Sequence, residues 1–424
     1  MTFSIRPVWV IAVALAACSQ GGGLSSLPTN YSQVEPRSRA MAGGYQSTYS
    51  FGQNGKQNDG QSPVADLVAL GGALFGTTLY GGITNSRCSL GCGMVFKAAT
   101  SGSETALYRF RGGADGFAPA AGLLDVNGDL FGTTSAGGGG SNCGGGCGTV
   151  FKLAPNGAHS IIYRFKGVSD GATPLAGLID VGGVLYGTTA SGGARKAVCF
   201  PGCGTVFRVN PDGTSEKVIY RFKAGADGAQ PIASLVAAGG VLYGATEYGG
   251  TRTKFCATGC GTIFSVTPSG AEKVLYRFKY APHVADGANP SAALIAVGGT
   301  FYGTTLGGGT GGFGTVFSVT TGGAEHVLQS FTCCTKGPRG SFPLGRLTAV
   351  NGALFSTTRG GGAYGVGTVF KITTSGTETL LYSFKGKPDG AGPQAGLLEL
   401  NGTLYGTTAD GGSHGEGTVF KITP

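Results

Sequence analysis

One composite motif written seven times is the feature that most limits what this chain can become. An aromatic followed by "GTT", or a close variant, occurs at Phe75–Thr78, Phe131–Thr134, Tyr186–Thr189, Tyr243–Thr246, Tyr302–Thr305, Phe355–Thr358 and Tyr405–Thr408. Each is followed by "GTVF" or a near relative, ending at Phe96, Phe151, Phe207, Phe264, Phe317, Phe370 and Phe420. A third element, "Y-[RS]-F", ends at Phe51, Phe110, Phe165, Phe222, Phe278, Phe331 (here "QSF") and Phe384. Self-similarity at a period of 50 to 59 residues means a repeat architecture, so the repeat is read before anything else.

One repeat resolves into four strands. In the second, "AAGLLDV" is strand A, Asn127-Gly128 a two-residue turn, "DLFGTT" strand B and "GTVFKLA" strand C, with "PNGA" leading to "SIIYRF" as strand D. The A–B turn is Gly-Gly or Asn-Gly in all seven repeats, and those dipeptides accept the positive φ that a type I′ hairpin needs. Seven four-stranded antiparallel units predict an all-β, seven-bladed β-propeller. The chain ends agree. The last repeat stops after strand C ("GTVFKITP"), and the first recognisable element, "STYSF" at 47–51, is a strand D with nothing before it. The N-terminal strand is expected to complete the last blade and close the ring.

The composite "LYRF…DGA-P-AGL…LYGTT-GG…GTVF" resembles the choice-of-anchor tandem repeat family called GloVer, after Gloeobacter and Verrucomicrobia, over about residues 47–424. The resemblance implies secretion with interchangeable anchors and names no substrate or reaction. The N-terminus fits that expectation. Arg6 precedes an apolar run, Val8–Ala17, too short to span a bilayer, and the run ends in "LAAC". That ending resembles the bacterial lipobox and marks residues 1–17 as a signal peptide and Cys18 as the lipidated first residue. The competing reading is an ordinary secretory signal with an incidental cysteine. Ser19 rather than Asp after the cysteine favours the outer membrane. Residues 18–44, rich in Gly, Ser and Pro, read as a flexible tether of roughly 30 Å reach, and 45–424 as the propeller.

With this strand order, the A–B and C–D turns share one face, while the longer D–A and B–C loops share the other, where function is expected. The D–A loops carry "D-G-x-x-P" at Asp59, Asp115, Asp170, Asp227, Asp286 and Asp389, with Arg339 in the sixth such position. Two readings compete. Asp-Gly makes an Asx-type turn with Pro leading into the inner strand, or the carboxylates form a ligand-binding ring near the channel mouth, interrupted by Arg339. Candidates for acid–base chemistry are His414, Glu416 and Asp410 in one B–C loop, His283 in a D–A loop, and Glu247 beside Tyr248. His159 is read at a C–D turn and His326 early in a strand D, both away from that face. No residue set calls for a cofactor.

The net charge of +9 does not form a patch in this reading. Arg109/Arg111, Arg164/Lys166, Arg221/Lys223 and Arg277/Lys279 flank the phenylalanine of "YRF" on the outer strand, where basic side chains discourage edge pairing. Nucleic acid is therefore not an expected partner; the membrane, through the lipid anchor, and an envelope glycan or protein are. Of the 11 cysteines, eight form C-x3-C pairs in four successive B–C loops: Cys88/Cys92, Cys143/Cys147, Cys199/Cys203 and Cys256/Cys260. Export places them in an oxidising compartment, so disulfides are expected rather than a metal site, whose tetrahedral thiolates would need neighbouring loops to converge. Cys333 and Cys334 have no assigned pairing. The function expected is non-catalytic binding or scaffolding; the alternative is a propeller lyase or hydrolase acting on an exported polymer.

Overall fold

A computed structural model describes residues 44–55, 59–140, 142–194, 199, 202–282, 284–332 and 339–424. The signal peptide, Cys18, the tether to residue 43, His283 and the Cys333-Cys334 pair lie outside the described residues. Seven four-stranded antiparallel sheets follow one another. Blade 1 is Val68–Leu70 (strand A), Ala73–Thr78 (B), Met94–Ala99 (C) and Glu104–Arg109 (D), and blades 2 to 6 repeat it. In blade 7, Leu398–Leu400, Thr403–Thr408 and Thr418–Ile422 are joined by the N-terminal strand Gln46–Ser50. That strand pairs antiparallel with strand C, Gln46 opposite Lys421 and Ser50 opposite Thr418, so the ring closes by hydrogen bonds alone. The three-residue A strands of successive blades adjoin around the axis, and the D strands form the rim.

The repeated letters have specific duties. The first glycine of "GTT" lets the "GTVF" phenylalanine lie flat on strand B: a Cβ on Gly187 would sit 2.7 Å from Cζ of Phe207 and 2.9 Å from Leu178. Blade 6 has Ser356 there. The residue leading into its A strand, alanine in the other six blades, is Gly345, whose carbonyl accepts the Ser356 hydroxyl at 2.9 Å. The first threonine crosses to the next blade: Thr77 donates to the carbonyl of Ala121 at 3.0 Å, and Thr133, Thr188, Thr304, Thr357 and Thr407 repeat the bond. Blade 4, with Ala245, lacks it. The second threonine caps its own turn, donating to the carbonyl two residues on in all seven blades. Fully buried phenylalanines then stack edge-on between strands D and C, as Phe222 on Phe264 (5.0 Å) and Phe51 on Phe96 (5.1 Å). The paired C–D strands carry a bulge at the same place in every blade, which adds twist.

Candidate functional site

The D–A and B–C loops gather on one face, where each blade sews its D–A loop to its neighbours through one residue. This is the residue before the loop proline: Ser62, Ala118, Thr173, Gln230, Asn289, Phe342 and Gly392. All seven have φ between +52° and +59°, a left-handed conformation that costs non-glycine residues free energy and recurs at functional positions. The N–H of each donates to the preceding blade's B–C loop, as Thr173 to the carbonyl of Cys147 (2.9 Å) and Phe342 to Phe313 (2.9 Å). Its carbonyl accepts from the residue after the threonine pair: Leu79, Ser135, Ala190, Glu247, Leu306, Arg359 or Ala409. The backbone is the same seven times, but the two side chains it presents change from blade to blade. Apart from Glu247, no residue at either position stood out in the sequence. The only available signals were the proline after the first and the threonines before the second.

Blades 4 to 6 hold the most varied chemistry. Glu247 is 1% exposed with Oε2 unpartnered, and burial pushes its carboxyl up to about 7, opposed by a hydrogen bond from Tyr248. Asn289 donates to the Glu247 carbonyl at 3.0 Å. The Phe342 ring packs edge-on to Phe313 at 5.3 Å, and burial lowers the Arg359 guanidinium from its usual range while Asp410 opposes the shift. Closer to the axis, alternate residues leading into the A strands are half-buried. There Asp66 accepts from Arg346 Nε at 2.8 Å and from the Gly396 N–H at 2.6 Å, linking blades 1, 6 and 7. The other residues at this level are small: Gly122, Gly177, Ser234 and Ala293.

The six loop aspartates serve the turn. Each accepts the tyrosine hydroxyl of its own "Y-[RS]-F" strand at 2.5–3.0 Å: Asp59 from Tyr49, Asp115 from Tyr108, Asp170 from Tyr163, Asp227 from Tyr220, Asp286 from Tyr276 and Asp389 from Tyr382. Each also accepts the backbone N–H just after the phenylalanine, as from Lys166 or Lys279. These bonds hold them against strand D, toward the rim, and correct the picture of a carboxylate ring at the channel mouth. Arg339 stands where the tyrosine is also absent: Gln329 replaces it and donates to Glu378 at 3.0 Å, with Arg339 4.0 Å from the same carboxylate.

Of the acid–base candidates, His414, Glu416 and Asp410 share one loop of blade 7. His414 is exposed, its Nδ1 2.9 Å from the Ser413 hydroxyl, which lies 3.0 Å from Ser50. Asp410 is exposed by surface area; the packing around it still raises its carboxyl, with Arg359 opposing and Glu416 adding to the shift. Glu247 and Tyr248 belong to blade 4, three blades away, so the structure does not bring the two groups together. His159 is the first residue of a strand D rather than a turn residue, stacked on Tyr108 at 4.0 Å.

The four C-x3-C pairs are disulfides, Cys88–Cys92, Cys143–Cys147, Cys199–Cys203 and Cys256–Cys260, with Cα–Cα distances of 5.1–5.3 Å. As read from the sequence, both cysteines of each pair lie in a B–C loop, but the loop turns inward: Cys88, Cys199 and Cys256 are buried, while Cys92, Cys147, Cys203 and Cys260 are each 0% exposed. Each is a core residue that shares a buried cluster with the strand-D phenylalanine of its own blade: Cys92 with Phe110, Cys147 with Phe165, Cys203 with Phe222 and Cys260 with Phe278. A bonded cystine sulfur has no proton to satisfy, so it buries as an apolar group, and none of these four can meet a ligand. Their carbonyls still work at the loop face, each receiving the N–H of the left-handed residue in the next loop. Phe313, Val366 and Glu416 hold that position in blades 5 to 7. Disulfides indicate an oxidising, extracytoplasmic setting. Among the described residues, no helix is long and apolar enough to cross a membrane, and no cluster of three or more His, Cys, Asp or Glu side chains is placed to hold a metal ion.

A closed seven-bladed propeller whose loop face repeats one two-bond backbone frame with varied side chains is the class these features define. The chain belongs to the Gloeobacter/Verrucomicrobia repeat family, whose model matches residues 39–256, 145–339 and 250–424. No curated protein matches it. Among solved structures it is similar to BamB from Moraxella catarrhalis (12% identity, 85% of each chain, TM-score 0.47). It is also similar to a putative 6-phosphogluconolactonase from Bacteroides uniformis (15% identity, 78% of this chain and 85% of that one, TM-score 0.47). An oligogalacturonate lyase in complex with manganese gives 10% identity over 78% and 82%, with a TM-score of 0.45. Likenesses this distant carry no argument about what this chain does.

Proposed function

We propose that this protein is an exported, non-catalytic binding module, tethered to a membrane through lipidated Cys18, that holds an envelope polysaccharide on its D–A and B–C loop face. One observation carries the reading: six strained, identically bonded non-glycine backbone positions carry six different side chains. A purely structural ring has no need to hold Thr173, Gln230, Asn289 and Phe342 in a left-handed conformation that glycine adopts freely, as Gly392 does. Amide and aromatic side chains on a fixed frame suit a hydroxyl-rich, uncharged or weakly charged polymer, through hydrogen bonds and ring faces. A protein ligand is the other occupant that such a face accommodates.

The catalytic alternative rests on His414 and Glu416. His414 is exposed beside Ser413, a setting that does not exclude water from a reacting group. Affinity capture of envelope extract on the immobilised full-length mature chain tests the proposal. Retention of a specific polysaccharide, unchanged in size and unaffected by His414→Ala with Glu416→Gln, is expected. Retention of nothing, or shortening of the polymer that those substitutions abolish, overturns it.

A further inference from the structure

The seams between blades repeat a polar arrangement that the proposed binding does not use. The strand-D tyrosine of one blade donates its only proton to its own loop aspartate. The glutamate at the start of strand D in the next blade faces the same hydroxyl: Glu104 on Tyr49, Glu216 on Tyr163, Glu272 on Tyr220 and Glu325 on Tyr276. In all four, Oε1 is buried and unpartnered. A phenol that has given its proton to one carboxylate offers a second only a lone pair. Two carboxylates around one oxygen therefore repel unless the glutamate brings a proton of its own.

The other three seams differ at this position, and each removes the conflict in its own way. Glu378 accepts from Gln329 and has the Arg339 guanidinium 4.0 Å away as a counter-charge. His159 stacks on Tyr108 with Nδ1 3.6 Å from Asp115. Tyr45 stacks on Tyr382 at 3.9 Å. Where the seam acid is kept without a donor opposite, the tyrosine–aspartate pair is always kept as well.

We infer that Glu104, Glu216, Glu272 and Glu325 are proton-binding sites built into the inter-blade seams, so that the ring takes up protons as it folds and is held together more tightly in mildly acidic than in alkaline surroundings. The charged surroundings agree. Burial is the largest influence on each carboxyl and raises it, to about 7 for Glu104, Glu272 and Glu325. Asp59, Asp170, Asp227 and Asp286 add to the rise at their respective seams. A tyrosine proton turned from its aspartate to the glutamate would oppose it at every seam, and Arg109 opposes at Glu104, Lys166 and Arg221 at Glu216, and Arg277 at Glu272. No cation opposes at Glu325, and the facing Asp286 is itself raised by burial. A carboxyl raised above its unfolded value binds more protons folded than unfolded. Its stabilising contribution is complete below the unfolded value near 4.5 and is lost as pH rises through about 7.

Urea unfolding of the full chain from about pH 5 to about pH 8 tests this, since the slope of the folding constant with pH counts the protons taken up. The wild-type constant should fall as pH rises. In a variant carrying E104Q, E216Q, E272Q and E325Q, whose amides donate to the tyrosine oxygen without titrating, the slope should shrink by about two protons or more. An unchanged slope, or a wild-type constant that rises with pH, overturns the inference. If the fourfold variant does not fold, E325Q alone with infrared spectroscopy decides. The protonated-carboxyl stretch should be present in the wild type at mildly acidic pH, vanish on alkalinisation, and be weaker in E325Q. A band equal in both proteins, or absent from the wild type, refutes it.

Discussion

Replacing Phe51 by alanine should open the ring at its one non-covalent joint. Phe51 is fully buried, edge-on to Tyr49 and to Phe96 at 5.1 Å each, with its N–H donating to the Gly417 carbonyl. Large-to-small substitution at such a site costs about 3–5 kcal/mol. Ordering the five residues Gln46–Ser50 opposes docking by roughly 1–2 kcal/mol per residue in backbone entropy, or about 5–10 in all. Few aromatic anchors stand against that cost, and losing one removes most of the surplus that keeps the strand docked. Phe222→Ala is the control: the same ring in the same packing, stacked on Phe264 at 5.0 Å, in a strand covalently continuous at both ends. Amide hydrogen exchange should show residues 46–50 losing protection in Phe51→Ala by roughly a hundredfold or more, at about tenfold per 1.4 kcal/mol. Residues 217–221 should keep theirs in that variant. Equal loss along both strands would refute the idea that ring closure is a separable, weaker joint.

Three further outcomes follow from the same geometry. Each disulfide closes a loop with a sequence separation of 4, worth about 2 kcal/mol by loop entropy, so reductant should lower the unfolding midpoint, and a thiol titration before reduction should find none in these four pairs. Thr173→Gly should stabilise the fold: it relieves about 1–3 kcal/mol of left-handed strain against about 0.5–1 kcal/mol of added freedom in the unfolded chain, and a destabilised variant in urea titration would contradict the strain argument. Gly187→Ala should destabilise by about 1–3 kcal/mol through overpacking against Phe207 and Leu178, whereas Ala at the turn residue Gly128, which has nothing within 4 Å, should pay only for its positive φ of 89°, so its cost carries no packing component and no shift in near-ultraviolet aromatic signal.

The blade count, strand order and cystine pairing were legible because each is repeated seven or four times, and ring closure because the lone strand D near the N-terminus matches the strand missing from the last repeat. Gly and Thr recur where only a missing Cβ or a short hydroxyl fits, as at Gly187 and Thr188. The positions proposed to bind were opaque for the opposite reason. Gln230, Asn289 and Phe342 share no letter, and what unites them, a positive φ and two backbone hydrogen bonds, leaves no trace in side-chain identity. The aspartates misled because they are regular: repetition marked Asp170 and Asp286 as conspicuous, yet regularity comes from their duty to the tyrosine of strand D. The burial of Cys92, Cys203 and Cys260 with their partners Cys88, Cys199 and Cys256 was hidden for a related reason, since C-x3-C spacing fixes who pairs with whom but not whether the loop turns the pair toward the core. The Asp66–Arg346 pair was unreadable because its partners are separated by 280 positions and meet only once the ring is closed.

The most direct test of the binding account compares the two faces of one ring. Envelope polysaccharide binding to the full-length mature protein would be measured by calorimetry for the wild type, for a loop-face variant (Gln230→Ala, Asn289→Ala, Phe342→Ala) and for an opposite-face variant at the exposed A-strand residues (Asp125→Ala, Asp180→Ala). Binding by the wild type and the opposite-face variant, with at least a tenfold loss in the loop-face variant at unchanged folding, is the predicted result. Equal binding by all three, or loss only in the opposite-face variant, would contradict it.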